Sequence, residues 1–133
     1  MVEPGYLADT SVFVAHEHDR ELADPPPGDA RISVATLTEL GVGVRRAHDQ
    51  ALREVREATL ERARRFIALP FDEAVADRLA ELLAVARDQQ HRAGAMDAII
   101  AATALVHGLI VWTQDDDFDV LVQLAPNLVV KRG

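Results

Sequence analysis

Cysteine is missing from these 133 residues. Disulfides and thiolate metal sites are therefore excluded, and a cytoplasmic protein is expected. No apolar run reaches the roughly 18 residues a transmembrane helix needs, so no membrane span is expected. The start, MVEPGYLADTS, lacks the basic-then-apolar order of a secretion signal. Internal repeats and low-complexity segments are absent too. A HExxH zinc motif is missing: His16-Glu17-His18 sets two histidines two apart, which do not share a helix face, and all three read as solvent-exposed. Positive charge is scarce as well. A net charge of −8 argues against loose coating of nucleic acid by the whole surface, although a nuclease whose metals supply local positive charge fits it.

What is present is an ordinary globular composition, 49% apolar, in a chain of single-domain length, so residues 1–133 are expected to form one domain. Its organising stretch is LIVWTQDDDFD, from Leu109 to Asp119. The apolar half reads as a short buried strand, and Asp115, Asp116, Asp117 and Asp119 follow at once. Carboxylates are thus placed at the carboxyl edge of a sheet, where open α/β folds bind ligands. Like charges so close repel one another, and a divalent cation among them would relieve that repulsion. An acidic solvated loop is the plainer alternative.

The rest of the chain alternates strands with helices. Tyr6-Leu7-Ala8 predicts a strand, after which Asp9 suits either the N-cap of a helix or a ligand at the strand end. Residues 16–29, with Pro25-Pro26-Pro27-Gly28, read as a surface loop. Arg31-Ile32-Ser33 predicts the second strand and residues 34–47 a helix. Thr36-Leu37-Thr38-Glu39 fits a capping box, which would make Glu39 a cap residue. Ser33 fits the N-cap equally, and then Glu39 projects near the second turn towards the strand ends. A second helix over 50–65, with Leu52, Val55, Thr59, Ala63 and Phe66 on one face, completes a hairpin turning at His48-Asp49. Residues 67–71 predict a third strand, and Asp72 caps a helix reaching about Asp88. Residues 96–105 are apolar almost all round, as a buried helix is, with Gly108 just past its end. Asp97 is the only charge in that run. The helix dipole accounts for it in part, yet a carboxylate so nearly buried needs partners. A helical turn over 118–124 and a last strand over 127–130 follow. The order predicts a three-layer α/β/α sandwich around a mainly parallel sheet.

Acids that end strands or open buried helices, namely Asp9, Glu39, Asp97 and Asp115 with Asp117 beside it, suggest one cluster of oxygen ligands. Such hard ligands select Mg²⁺ or Mn²⁺, and sites of this kind handle phosphates, where two ions roughly 3.5–4 Å apart can activate a water and stabilise the leaving oxygen. The motifs LADTS, TLTEL, MDAIIAATA and TQDDDF, in this order and over essentially the whole chain, resemble the acidic motifs of the PIN domain. The size and the segment ISVATLTELGVGV are similar, more narrowly, to the VapC-type toxins of bacterial toxin–antitoxin pairs. The resemblance implies a five-stranded sheet ordered 3-2-1-4-5. It also implies a Mg²⁺- or Mn²⁺-dependent endoribonuclease, usually a homodimer, held inactive by a cognate VapB-type antitoxin. Carried over by position, it makes Asp9, Glu39, Asp97 and Asp115 the metal-binding and catalytic quartet and Asp117 an auxiliary acid. Ser11 and Thr113 become supporting hydroxyls. Asp116 is an addition to the pattern.

Competing readings are another Mg²⁺-dependent phosphoryl-transfer protein and a non-catalytic PIN-like interaction module. A phosphatase DxDx[TV] motif does not follow the first strand, and a receiver-type lysine late in the sheet has no counterpart beyond Lys131. One further asymmetry is visible. Residues 45–65 hold seven arginines (Arg45, Arg46, Arg53, Arg56, Arg62, Arg64 and Arg65) against four acids, +3 in a chain that is otherwise −11. Such a segment suits a contact with RNA or with the antitoxin, or simply the solvated face of a helix.

Overall fold

The computed structural model describes residues 5–17 and 26–133. Its elements follow in the order β1 (Tyr6–Ala8), α1 (Thr10–Glu17), β2 (Ile32–Ser33), α2 (Val34–Arg45), α3 (Gln50–Ala63), β3 (Ala68–Leu69), α4 (Glu73–Asp88), α5 (Ala95–His107), β4 (Ile110–Thr113), α6 (Asp119–Leu124) and β5 (Val130–Arg132). Every described strand pairing is parallel: β1 with β4, β4 with β5, and β2 with β3. A single bridge between Leu7 and Arg31 joins the two groups, through Ala8 N–H to Arg31 O and Arg31 N–H to Tyr6 O, both 2.9 Å. The resulting order is β3-β2-β1-β4-β5, as expected, and the direction in which successive strands are added across the sheet reverses between β1 and β4.

Period-two alternation along these strands builds the layers. Leu7 faces its register partner Val111, and both belong to a core formed mainly with α4, α5 and α6. One residue on, Ala8 and Trp112 are partners and turn to the opposite core, with Val12 and Phe13 of α1, Leu40 and Val44 of α2, and Leu60 of α3. Strands covered on both faces must be apolar at consecutive positions, which is why LIVW shows no alternation in the sequence. Helix α5 lies deepest: Ala98, Ala101, Ala102 and Ala104 are wholly buried, and their small side chains let the helix approach its neighbours closely.

Caps set the helix starts. Ser33 caps α2 by accepting from Ala35 N–H at 3.0 Å, so the Thr36-to-Glu39 capping box is not used and Glu39 sits in the second turn. Asp49 Oδ1 and Asp72 Oδ1 cap α3 and α4 in the same way, at 2.8 and 2.9 Å. Gly108, at φ 64°, ends α5 in the left-handed region where glycine meets no steric penalty.

Several boundaries depart from the sequence reading. The last strand is Val130–Arg132, not 127–130: Leu128 is pulled into the core, and the ladder starts only where Val111 N–H meets Val129 O. The charged pair Lys131-Arg132 can stand in a strand because β5 is an edge, and Lys131 Nζ lies 4.6 Å from the centre of the Trp112 ring. The third strand shrinks to Ala68–Leu69, with Ile67 and Phe71 exposed. On α3 the buried face runs through Thr59, Leu60 and Ala63, while Val55 is exposed. Helix α1 continues through His16 and Glu17, so the loop begins later than expected. Glu17 is not free in solvent, for Thr59 Oγ1 donates to its Oε2 at 2.6 Å. His18 and Pro25 lie outside the described residues.

Candidate metal centre at the sheet edge

The carboxyl ends of β1 and β4, the neighbours at which the direction of strand addition reverses, open into a cleft of about 260 Å³. Asp9, Glu39, Asp97, Asp115 and Asp117 all line it, with Thr10, Ser11 and Gln114. Five acids spread over 109 sequence positions are thus brought to one place, while no basic side chain lines the cleft among the described residues.

Asp9 follows β1 directly and is 3% exposed. Its Oδ1 accepts from Ser11 N–H at 2.6 Å and from Ser11 Oγ at 2.5 Å, which is the N-cap role for α1. Its Oδ2 accepts from Thr113 Oγ1 at 2.7 Å, which ties β1 to β4 at their ends. Cap and cleft acid are therefore one residue in two roles. Burial pushes the Asp9 carboxyl up to about 6; the Ser11 and Thr113 hydrogen bonds oppose that rise and the nearby Asp115 charge adds to it.

Ser11 and Thr113 touch each other across the cleft floor, Oγ to Oγ1 at 3.2 Å, and Gln114 N–H donates to Ser11 Oγ at 2.8 Å. Thr113 Oγ1 also stands 3.3 Å from Asp115 Oδ1. Having one proton, it gives it to the shorter contact with Asp9, and Asp115 keeps its lone pairs for another donor or ion.

Glu39 reaches in from α2, held by Thr10 Oγ1 at 2.6 Å. Thr10 is a site neighbour that sequence reasoning missed. Its signal was present: the first residue of a helix that starts at a strand's carboxyl end projects over the same edge as the acid before it. Asp97 stands in the first turn of α5, half-buried. Its carboxyl is raised to about 7, by burial first and then by the charges of Asp117, Glu39, Asp9 and Asp115 in that order. Electrostatically, then, Asp97 is where the other four acids meet.

In the loop after β4, Asp117 N–H donates to Asp115 Oδ1 at 3.1 Å, which turns both acids towards the cleft. Partial burial, and then the Asp115 charge, raise the Asp117 carboxyl. Asp116 points the other way and pairs with Arg132 of β5. No three acidic or histidine side chains among the described residues converge tightly enough to grip one ion as they stand. The hydroxyls of Thr10, Ser11 and Thr113 hold several of the oxygens such an ion would use.

Comparison with known proteins agrees with this geometry. Residues 6–123 match the PIN domain family. Ribonuclease VapC4 of Mycobacterium tuberculosis is 41% identical over 113 residues, 84% of this chain and 87% of that protein. Ribonuclease VapC8 of the same organism is 44% identical over 100 residues, 74% and 88% of the two chains. Among solved structures, the crystal structure of VapBC-5, a toxin–antitoxin family member from M. tuberculosis, superposes with a TM-score of 0.82 at 34% identity, covering 98% of this chain and 100% of that one. VapBC from Salmonella typhimurium, solved bound to DNA, shares the fold at a TM-score of 0.77 and 20% identity, over 98% of each chain. The chain belongs to the PIN domain family, in its VapC branch.

Proposed function

We propose that this chain is the toxin of a type II toxin–antitoxin pair, a Mg²⁺- or Mn²⁺-dependent endoribonuclease formed by residues 1–133 as one domain. The observation that carries this reading is the convergence of five carboxylates in one cleft with no basic side chain among its described lining. Such a donor set is all hard oxygen, the chemistry of Mg²⁺ and Mn²⁺, and its self-repulsion at Asp97 asks for a cation. Asp9, Glu39, Asp97 and Asp115 would hold the metal, with Asp117 beside them. When bound, it supplies Lewis-acid activation of water and charge neutralisation on the phosphate.

The chain's own residues do the rest. Ser11 and Thr113 hold both oxygens of Asp9 in place, so that this carboxylate costs little to organise when a ligand arrives. Thr10 does the same for Glu39. With a cation held there, the hydroxyls of Thr10, Ser11 and Thr113 would support its carboxylate ligands, and its positive charge would favour the ionised form of Asp97. The relatives named ribonucleases support RNA as the substrate, and the VapBC structures support a VapB-type antitoxin as partner. A homodimer and a cytoplasmic location complete the reading. No helix among the described residues is long and apolar enough to cross a membrane.

The loop acids test the assignment. Asp117→Ala should raise the Mn²⁺ concentration needed for half-maximal RNA cleavage by about tenfold, as loss of a supporting ligand does. Asp116→Ala, which loses only an exposed pair with Arg132, should titrate like wild type. Metal titration of cleavage by the purified protein reads both. The reverse ranking would mean that Asp116, not Asp117, serves the metal.

A further inference from the structure

The arginine-rich segment is not one surface. Arg45, Arg53 and Arg64 line a shallow depression together with Glu57 and Glu61. There Arg53 pairs with Glu57 at 3.0 Å, Arg64 with Glu61 at 3.6 Å, and Arg45 donates to Gly41 O at 3.2 Å. This side of the hairpin is nearly balanced in charge and bonded within itself.

Arg46 and Arg56 face elsewhere. They line a groove of about 510 Å³ between α1 and the α2–α3 hairpin, and its walls share Thr10, Val14 and Glu39 with the acidic cleft. Groove and cleft therefore adjoin, with only acids among the charged groups at the sheet edge and Arg46 and Arg56 beside Glu17 at the far end. Arg56 Nη1 donates to Gly43 O at 2.8 Å, which fixes its guanidinium and leaves further N–H groups for a ligand. Arg46 is exposed and makes no ion pair among the described residues. The one acid on the basic stretch, Glu17, already accepts from Thr59. A chain carrying one negative charge per unit, with a reacting unit in the cleft, matches this polarity: a cation serves the phosphate at one end, and arginines serve the neighbouring phosphates at the other.

We propose that the groove between α1 and the α2–α3 hairpin seats the RNA strand next to the bond that is cut, with Arg46 and Arg56 binding its phosphates. This rests on the nuclease reading above. Arginine suits the task because its planar fork gives paired donors to phosphate oxygens.

The test compares Arg46→Gln/Arg56→Gln with Arg53→Gln/Arg64→Gln in the full chain. The substrate is a short fluorescein-labelled single-stranded RNA of mixed sequence, cleaved in Mn²⁺ over a range of salt concentrations. The groove variant should raise KM about tenfold with kcat within about twofold of wild type. It should also flatten the log–log salt dependence of kcat/KM by roughly 1.4, the loss of two contacts to single-stranded phosphates. The variant of the balanced face should match wild type on both counts. Because Arg56 also ties α3 to α2, Arg46→Gln alone, which breaks no side-chain bond among the described residues, should give about half the change in slope. Unaltered KM and slope in the groove variants would overturn the proposal. So would a loss confined to binding of the partner antitoxin, which would give the groove to protein rather than RNA. If the wild-type chain cuts no RNA, the nuclease reading itself fails. Fluorescence polarisation of the same uncut RNA then decides the groove by the same comparison.

Discussion

Asp97→Asn should lower the rate of RNA cleavage by at least about 10²–10³-fold while leaving the protein folded. Asparagine keeps the shape of the side chain and removes the charge, and this position feels the charges of Asp117, Glu39, Asp9 and Asp115 together. Asp9→Asn, Glu39→Gln and Asp115→Asn should fall as far, since each removes one anionic oxygen donor from the same cleft. Rates measured under saturating Mn²⁺, with circular dichroism to establish folding, check all four. A fully active Asp97→Asn protein would reduce Asp97 to an acid that merely complements the N-terminus of α5, and the shared centre would lose its middle.

The second large effect is on stability in EDTA, and it runs against the usual behaviour of acids. The carboxyls of Asp9 and Asp97 are raised from 3.8 to about 6 and about 7 in the folded protein. Between those values and 3.8 the folded chain binds protons that the unfolded chain has released, so stability falls as pH rises through the interval. The metal-free protein should therefore melt higher at pH 5 than at pH 8. For buried Asp9 the difference is about 1.4 kcal/mol, because only the pH unit from 5 up to its raised value of about 6 lies within this comparison, at 1.36 kcal/mol per pH unit. Half-buried Asp97 adds less, because solvent screens it. A total melting shift on the order of 10 °C follows. At pH 8 in EDTA, Asp97→Asn should melt higher than wild type, and the two should converge at pH 5. Saturating Mn²⁺ should abolish or reverse the trend, since protons then compete with the cation. Scanning calorimetry across this range decides it. An Asp97→Asn protein that melts lower at pH 8 would show that the ionised carboxylate is a structural group.

Much of this was legible in the sequence, for identifiable reasons. Buried parallel strands are uninterrupted apolar runs, and an acid within two residues of the end of one is conspicuous, as Asp9 and Asp115 are. Asp97 stood out as the single charge on an apolar helix. Glu39 was ambiguous because a capping box and a functional acid share a pattern; the bond from Ala35 N–H to Ser33 settled the cap. Packing decided what the sequence could not. Leu128-Val129-Val130 looks like a strand from its first residue, but the core takes Leu128 and the ladder starts later. Leu60 rather than Val55 faces inward on α3 because that face meets Val44 and Phe13 in one core. The division of the arginines between two sides of the hairpin depends on the same rotation of α3, which no count of charges contains.

Thr113 reaches Asp9 across 104 positions of chain, and β1 is paired with β4 over the same gap. On the function proposed here, that separation governs when the toxin comes into being. A ribosome that has released the chain only as far as α5 has already made Asp9, Glu39 and Asp97, yet β1 has no partner on that side and the loop acids do not exist. Contacts so remote in sequence form late, after the local helices. No partly active nuclease precedes the synthesis of β4 and its loop; activity arrives in a single step once they can pair with β1, and whatever restrains this protein has to be present at that moment.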